Sequence, residues 1–142
     1  MAGLTENSAK RAKEFYEKFI DSITICSSLE IAETAKLLEN SFRLVNISFI
    51  NEISQFCHKL GIDISSVINA ASTKPYGFMS FRPGVGVGGH SIPVDPLYLT
   101  WWARQYGGKA HLIESADSIN HEMPRYVAER ALNMVDSCGK IR

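Results

Sequence analysis

Between Ser27 and Gly61 the chain runs without a proline or a glycine. Apolar residues recur through that stretch at helical intervals: Ile31, Ala35, Leu38, Phe42, Val45, Phe49, Ile53 and Phe56. Such spacing gathers side chains on one face of an α-helix. Ser27, with Glu30 three positions on, has the pattern of a capping box, in which side chains satisfy N–H groups that the first turn leaves unpaired. Gly61 ends the run, since glycine enters the left-handed conformation that closes helices without a Cβ penalty. A helix over 28–60 would be roughly 50 Å long at 1.5 Å per residue. A small domain cannot cover that length, so part of the apolar face is expected to meet another chain or domain.

The segments around this helix also read as mostly α. At 142 residues the chain suffices for one ordinary domain but not two. Residues 6–20 place Ala9, Ala12, Phe15, Tyr16 and Phe19 at helical spacing. Ser22–Cys26 alternates polar and apolar residues and is β-branched, which predicts a short strand. A lone helix and strand cannot bury each other's faces, so they read as the tail of another domain. A short helix is expected over 64–71, followed by turns at 72–77. Asp95 and Pro96 read as N-cap and first residue of a helix reaching Tyr106, closed by Gly107 and Gly108. A last helical stretch spans Leu112 to Met134, with a break or fresh start at Pro124.

Charge narrows the partners. Fifteen basic residues balance fifteen acidic ones, so no whole-molecule field points to nucleic acid or to an anionic membrane. No apolar run is long enough to span a bilayer. The first residues lack a basic region followed by an apolar one, so no signal peptide is expected. Three cysteines, Cys26, Cys57 and Cys138, are an odd number without metal-ligand spacing. They read as reduced thiols of a cytoplasmic protein.

The chemistry lies in Gly84-Val-Gly-Val-Gly-Gly-His-Ser-Ile-Pro-Val-Asp-Pro96. Three readings compete. A dinucleotide fingerprint needs a strand before the glycines and a helix directly after them; Phe81-Arg82-Pro83 precedes, and Pro93 and Pro96 argue against an immediate helix. A plain surface loop would use glycines for positive φ. The third reading is a bare backbone approaching a ligand, with His90, Ser91 and Asp95 supplying side-chain chemistry.

These residues resemble the active-site signature of the UDP-glucose/GDP-mannose dehydrogenase family. The form is closest to the UDP-N-acetylmannosamine dehydrogenase branch, where Gly-Gly-His-Cys-Ile-Pro-Val-Asp-Pro is typical. Ala32-Glu33-Thr-Ala-Lys36-Leu-Leu-Glu-Asn40, followed by Asn46-Ile-Ser-Phe-Ile-Asn51-Glu52, resembles the central-helix signature of the same family. Both motifs stand in the family's order and separation.

The resemblance implies a nucleotide-sugar 6-dehydrogenase, oxidising a UDP-sugar C6 alcohol to the acid through two hydride transfers to NAD. Its setting would be surface polysaccharide synthesis. In the family a loop cysteine captures the intermediate aldehyde; here Ser91 stands at that position. A serine hydroxyl is far less nucleophilic at neutral pH than a thiol and needs a general base. Lys36 matches the lysine that stabilises charge on the C6 oxygen, although a lone helical lysine is ordinarily paired with a neighbour such as Glu33 or Glu39. Asn40, one turn on, would orient the same oxygen or a water, and Asp95 would assist water and proton handling. Asn51 and Glu52 are expected to make structural hydrogen bonds.

Substrate-binding roles fall by resemblance on Gly88, Gly89 and His90 in the loop, and on Lys74 and Arg82 flanking it. Lys74 matches a basic residue that reaches substrate on the neighbouring subunit, and a diphosphate needs such cations. No second histidine stands at zinc spacing from His90, so no metal site is expected. The family's architecture implies that 1–27 is the end of an NAD-binding Rossmann domain. Residues 28–123 would then be a central helical substrate and dimerisation domain, and 124–142 a linker helix towards a nucleotide-binding domain. It also implies a homodimer through the helix over 28–60, and NAD held mainly by residues outside this chain. The alternative is a non-catalytic helical dimerisation module that keeps the loop by descent, which Ser91 favours.

Overall fold

The computed structural model describes residues 1–137. They form five helices: α1 (Glu6–Tyr16), α2 (Leu29–Lys59), α3 (Ile64–Ala71), α4 (Ser91–Gln105) and α5 (His111–Ser137). No strand forms among the described residues, so the mainly helical class expected from sequence is borne out. The third cysteine, Cys138, and the end of the expected linker segment lie outside the described residues. The chain divides into two compact units, one up to Glu39 and one from Asn40 on, with the division inside α2.

In the first unit, Thr5 caps α1 by accepting from the Ser8 N–H while the Ser8 hydroxyl side answers the Thr5 N–H. The helix stops at Tyr16 rather than running to residue 20. The N–H groups of Phe19 and Ile20 both turn back to the Tyr16 carbonyl, and Phe15, Tyr16 and Phe19 meet edge to face. The strand expected at Ser22–Cys26 does not form. Thr24 and Cys26 each exchange a backbone bond with Met1, at 2.8 Å in both cases, and contacts to one residue do not make a ladder. α2 is capped by Ser28, not Ser27: the Ser28 hydroxyl accepts from the Ile31 N–H at 3.3 Å. The Glu30 carboxyl, held by its own backbone N–H and then by Ser28, lies below its ordinary range.

The second unit is organised by the rest of α2. Its buried residues are Asn40, Ser41, Leu44, Ser48, Ile50, Asn51, Ser54 and Cys57, mostly small and polar. Small residues let α5 approach: the fully buried Ser48 donates to the Ala116 carbonyl at 2.7 Å, and Gln55 reaches the Met123 sulfur. Leu44, Met123, Ile68 and Ala116 fill the core. The phenylalanines face outward, with Phe42, Phe49 and Phe56 at 46, 55 and 59% exposure. The face that sequence periodicity marks as apolar is thus the uncovered one. Gly61, at φ +68°, closes the helix as expected; its N–H reaches the His58 carbonyl and the Ile62 N–H reaches Cys57, the paired bonds of a Schellman motif.

α3 starts at Asp63, whose carboxylate accepts from the Ser65 and Ser66 N–H groups. After it, the chain passes Phe78, Met79 and Phe81 beside Asn46, Phe49 and Ile50 of α2. The Phe81 ring meets Phe42 edge to face. α4 then packs against α5, and Arg104 pairs with Glu114 at 2.6 Å.

Two helix boundaries differ from the sequence reading, both at prolines. α4 begins at Ser91, so Asp95 is not an N-cap and Pro96 is not the first residue; His90 holds the cap position without a side-chain bond. A proline in the first turn forfeits no hydrogen bond, so Pro93 is compatible with helix initiation, and Pro96 removes a single one. α5 runs unbroken through Pro124. The carbonyl that Pro124 leaves without its usual partner belongs to Asn120, four residues earlier, and that group faces the glycine loop.

Candidate functional site

Two buried asparagines grip the first half of the glycine loop. The Gly84 N–H donates to the Asn51 side-chain oxygen at 2.8 Å. The Val87 N–H donates to Asn120 Oδ1 at 2.6 Å, and Asn120 Nδ2 donates back to the Val87 carbonyl at 3.1 Å. Asn51 is 0% exposed and Asn120 6%, so neither bond competes with water, and losing one leaves a buried polar group unpaired. Between the clamps Gly86 holds φ +114°, and a Cβ there would stand 3.1 Å from both the Asn120 carbonyl and its side-chain oxygen. Only glycine passes this point without strain. The structural role expected of Asn51 is therefore present. Asn120 carried no sequence motif; its signal was Pro124 four residues on, which frees the carbonyl that Gly86 packs against.

Past Val87 the loop opens outward. Gly88, Gly89 and His90 are exposed, and Gly89 takes φ +95°. Ser91 follows as the first residue of α4, exposed, and Asp95 lies one turn on, half-buried and on the same side of the helix. Asn40, fully buried on α2, donates to Asp95 Oδ2 at 2.5 Å across 55 residues of sequence. Arg43 in turn donates to Asn40 Oδ1 at 2.6 Å. The fold thus joins the two signature motifs through Asn40 and Asp95, and adds Arg43, which the sequence reading passed over although it lies three residues from Asn40.

Lys36 belongs to the first unit, where its ammonium pairs with Glu39 at 2.8 Å with both side chains 55% exposed. That is the ordinary helical pairing, of the kind worth about 0–1 kcal/mol. Lys74 and Arg82 are exposed in the segments before the loop. Among the described residues no side chain hydrogen-bonds the Ser91 hydroxyl, and no cluster of potential ligands could hold a metal ion. Beside Asp95 one face of α4, made of Val94, Leu97, Tyr98 and Trp101, lines an open apolar depression of about 380 Å³.

The loop's backbone also bears on the fingerprint reading. A helix does open just after the last glycine, contrary to the expectation from Pro93 and Pro96. No strand precedes it, however, and the Gly84 and Val87 N–H groups are already committed to Asn51 and Asn120. Without that strand the loop lacks the strand–loop–helix frame of a dinucleotide fingerprint.

These features define a helical domain in which a clamped glycine loop leads a hydroxyl into the first turn of a helix, beside a carboxylate held by an amide. Residues 30–122 match the family model described as "UDP-glucose/GDP-mannose dehydrogenase family, central domain", and the chain belongs to that family. It is 40% identical over 91% of its length to a UDP-N-acetyl-D-glucosamine 6-dehydrogenase of Pseudomonas aeruginosa, covering 30% of that protein. It is 35% identical over 99% of its length to a UDP-N-acetyl-D-mannosamine dehydrogenase of Methanocaldococcus jannaschii, covering 32% of it. The solved UDP-D-ManNAc dehydrogenase of Pyrococcus horikoshii superposes with a TM-score of 0.82 at 32% identity, over 97% of this chain and 32% of that one. The resemblance to the UDP-N-acetylmannosamine branch drawn from the loop is borne out in these relatives. The chain spans about a third of their length. Among the described residues no helix is long and apolar enough to cross a membrane.

Proposed function

We propose that this chain is the central, sugar-facing part of an NAD-dependent nucleotide-sugar 6-dehydrogenase that oxidises the C6 alcohol of a UDP-sugar, UDP-N-acetylmannosamine being the first candidate. The observation that carries this reading is the Asn40–Asp95 hydrogen bond, which unites residues from two separate family motifs one helical turn from Ser91. The setting proposed is the cytoplasm, in surface polysaccharide synthesis. NAD, the oxidant that the resemblance implies, would be bound mainly outside this chain, because no strand precedes the glycine loop as a dinucleotide fingerprint requires.

Each residue then has a task at the sugar. Gly88, Gly89 and His90 bring backbone and ring polar groups to the substrate where the loop opens. Asn40 donates to an oxygen at C6 or to a water beside it, and the Asp95 carboxylate orients that water and accepts its proton. Lys36, released from Glu39, would offset negative charge on the C6 oxygen. Lys74 and Arg82 supply cations for the diphosphate, Lys74 towards a neighbouring subunit. Ser91 occupies the nucleophile's position with no hydrogen-bonded base among the described residues, so it is a weak trap for an aldehyde.

The same reading includes a homodimer along the helix over 28–60, supported by the outward Phe42, Phe49 and Phe56. The runner-up, a non-catalytic dimerisation module, draws on the unassisted Ser91 and on the Lys36–Glu39 pair. The experiment is NADH formation, followed by absorbance, on a purified full-length protein carrying this chain, with UDP-N-acetylmannosamine, UDP-N-acetylglucosamine and UDP-glucose. Turnover of one of them that is lost in Asn40→Ala and Asp95→Ala is expected. No NADH from any of the three would refute an oxidative role. The 142-residue chain alone is expected to form none.

A further inference from the structure

We propose that Arg43 is a positioning residue that fixes the polarity of the Asn40 amide, so that Asn40 faces Asp95, and any oxygen bound beside it, as a hydrogen-bond donor only. The two ends of a primary amide have nearly the same shape, so an asparagine can occupy one site in two orientations. Here its neighbours decide between them. Arg43 Nη2 lies 2.6 Å from Oδ1, and Asp95 Oδ2 lies 2.5 Å from Nδ2. A guanidinium only donates, and an ionised carboxylate only accepts. Turned by half a revolution, the amide would set donor against donor at Arg43 and acceptor against acceptor at Asp95. At 0% exposure no water stands ready to repair either clash.

The three groups therefore form a directed chain from cation through amide to carboxylate, bridging α2 and α4. Both bonds are charge-assisted, the stronger class of hydrogen bond. Asp95 takes an N–H of the Asn40 amide, while the acceptor end is held by Arg43. Asn40 thus lacks the means to serve as a base. Proton acceptance at this end of the site falls to Asp95. The orientation stands on the geometry alone; its catalytic consequence rests on the proposed function.

The test has two readouts. In the 15N-labelled chain, the Asn40 side-chain NH2 is expected to exchange with solvent slowly. Arg43→Met should speed that exchange by about tenfold or more by freeing the amide, and Arg43→Lys, which keeps a cationic donor, should recover most of the protection. Arg43→Ala serves as the second variant if Arg43→Met does not fold. Unchanged exchange and chemical shifts of the Asn40 amide in either folded variant would overturn the proposal. In the full-length protein, Arg43→Met should lower kcat by about ten- to a hundredfold with KM nearly constant, short of the ~10²–10³ loss seen on removing a direct donor. Arg43→Lys should restore part of it. A kcat unaffected by Arg43→Met would overturn the catalytic consequence. A wild-type protein that forms no NADH would instead count against the proposed function, and the exchange measurement would still decide the orientation.

Discussion

The two faces of α2 from Asn40 on reverse the usual division of a helix. Its buried face carries Asn40, Ser41, Ser48, Asn51 and Ser54 around Leu44 and Ile50, while Phe42, Phe49 and Phe56 stand half in water. Burying polar side chains is unfavourable unless each has a partner. Asn40 has Asp95 and Arg43, Ser48 has the Ala116 carbonyl, and Asn51 Oδ1 has the Gly84 N–H, while Asn51 Nδ2 and Ser41 Oγ find no partner among the described residues. The inner face therefore gives up some hydrophobic burial in exchange for a fixed site. The outer face keeps apolar area that nothing in the described residues fully covers. Fully burying a phenylalanine is worth about 1.5–3 kcal/mol, so roughly half that per ring remains available to a partner.

Leu44 is the one large apolar side chain at 0% exposure on the inner face. Leu44→Ala should destabilise the chain by about 2–5 kcal/mol in urea unfolding, through lost transfer energy and the cavity left behind. Asn120→Ala comes next. It strands the Val87 N–H, and a loss of about 1–3 kcal/mol is expected, together with faster hydrogen exchange at Val87 that leaves the amides of α3 unaffected. Phe49→Ser removes a ring from the outer face. It should alter the stability of the folded monomer by about 0.5 kcal/mol or less, yet shift light scattering from dimer to monomer at micromolar concentration. A wild-type chain that is already monomeric there would remove the dimer from the account.

Acid provides the smallest effect. The Ser66 hydroxyl, then the Ser66 and Ser65 N–H groups, hold the Asp63 carboxyl below its ordinary value of 3.8. A depressed folded value means that its contribution is fully present above 3.8 and is lost as pH falls through the folded value. Circular dichroism should show Asp63→Ala less helical than wild type at pH 6, with the gap closing as the pH falls below 3.8 and the Asp63 carboxyl takes up its proton.

The sequence made the helices legible where their signals were local. The apolar repeat and Gly61 placed α2 within a residue or two, and α3 was bounded correctly. Where proline was decisive, the reading erred in both directions. Pro96 lies inside α4 rather than starting it, and Pro124 lies inside α5 rather than breaking it, because the groups such a residue strands find other surroundings in the folded unit. The β-branched run at Ser22–Cys26 failed for the opposite reason: a strand requires a neighbouring strand, which periodicity cannot supply. At the site, motif register singled out Asn40 and Asp95, which the fold brings together. Asn120 and Arg43 act through contacts whose partners are remote in sequence or masked by an ordinary helical position.

Ser91 is the sharpest probe of a sugar-oxidising site: Asn40 and Asp95 beside it are held in place, while no side chain among the described residues hydrogen-bonds its hydroxyl. In a full-length protein carrying this chain, Ser91→Cys should convert the UDP-sugar to its uronic acid with two NADH per sugar, as measured by mass spectrometry and absorbance. No acid formed by that variant, with the fold intact, would contradict a sugar-oxidising site and leave the dimerisation module as the better account.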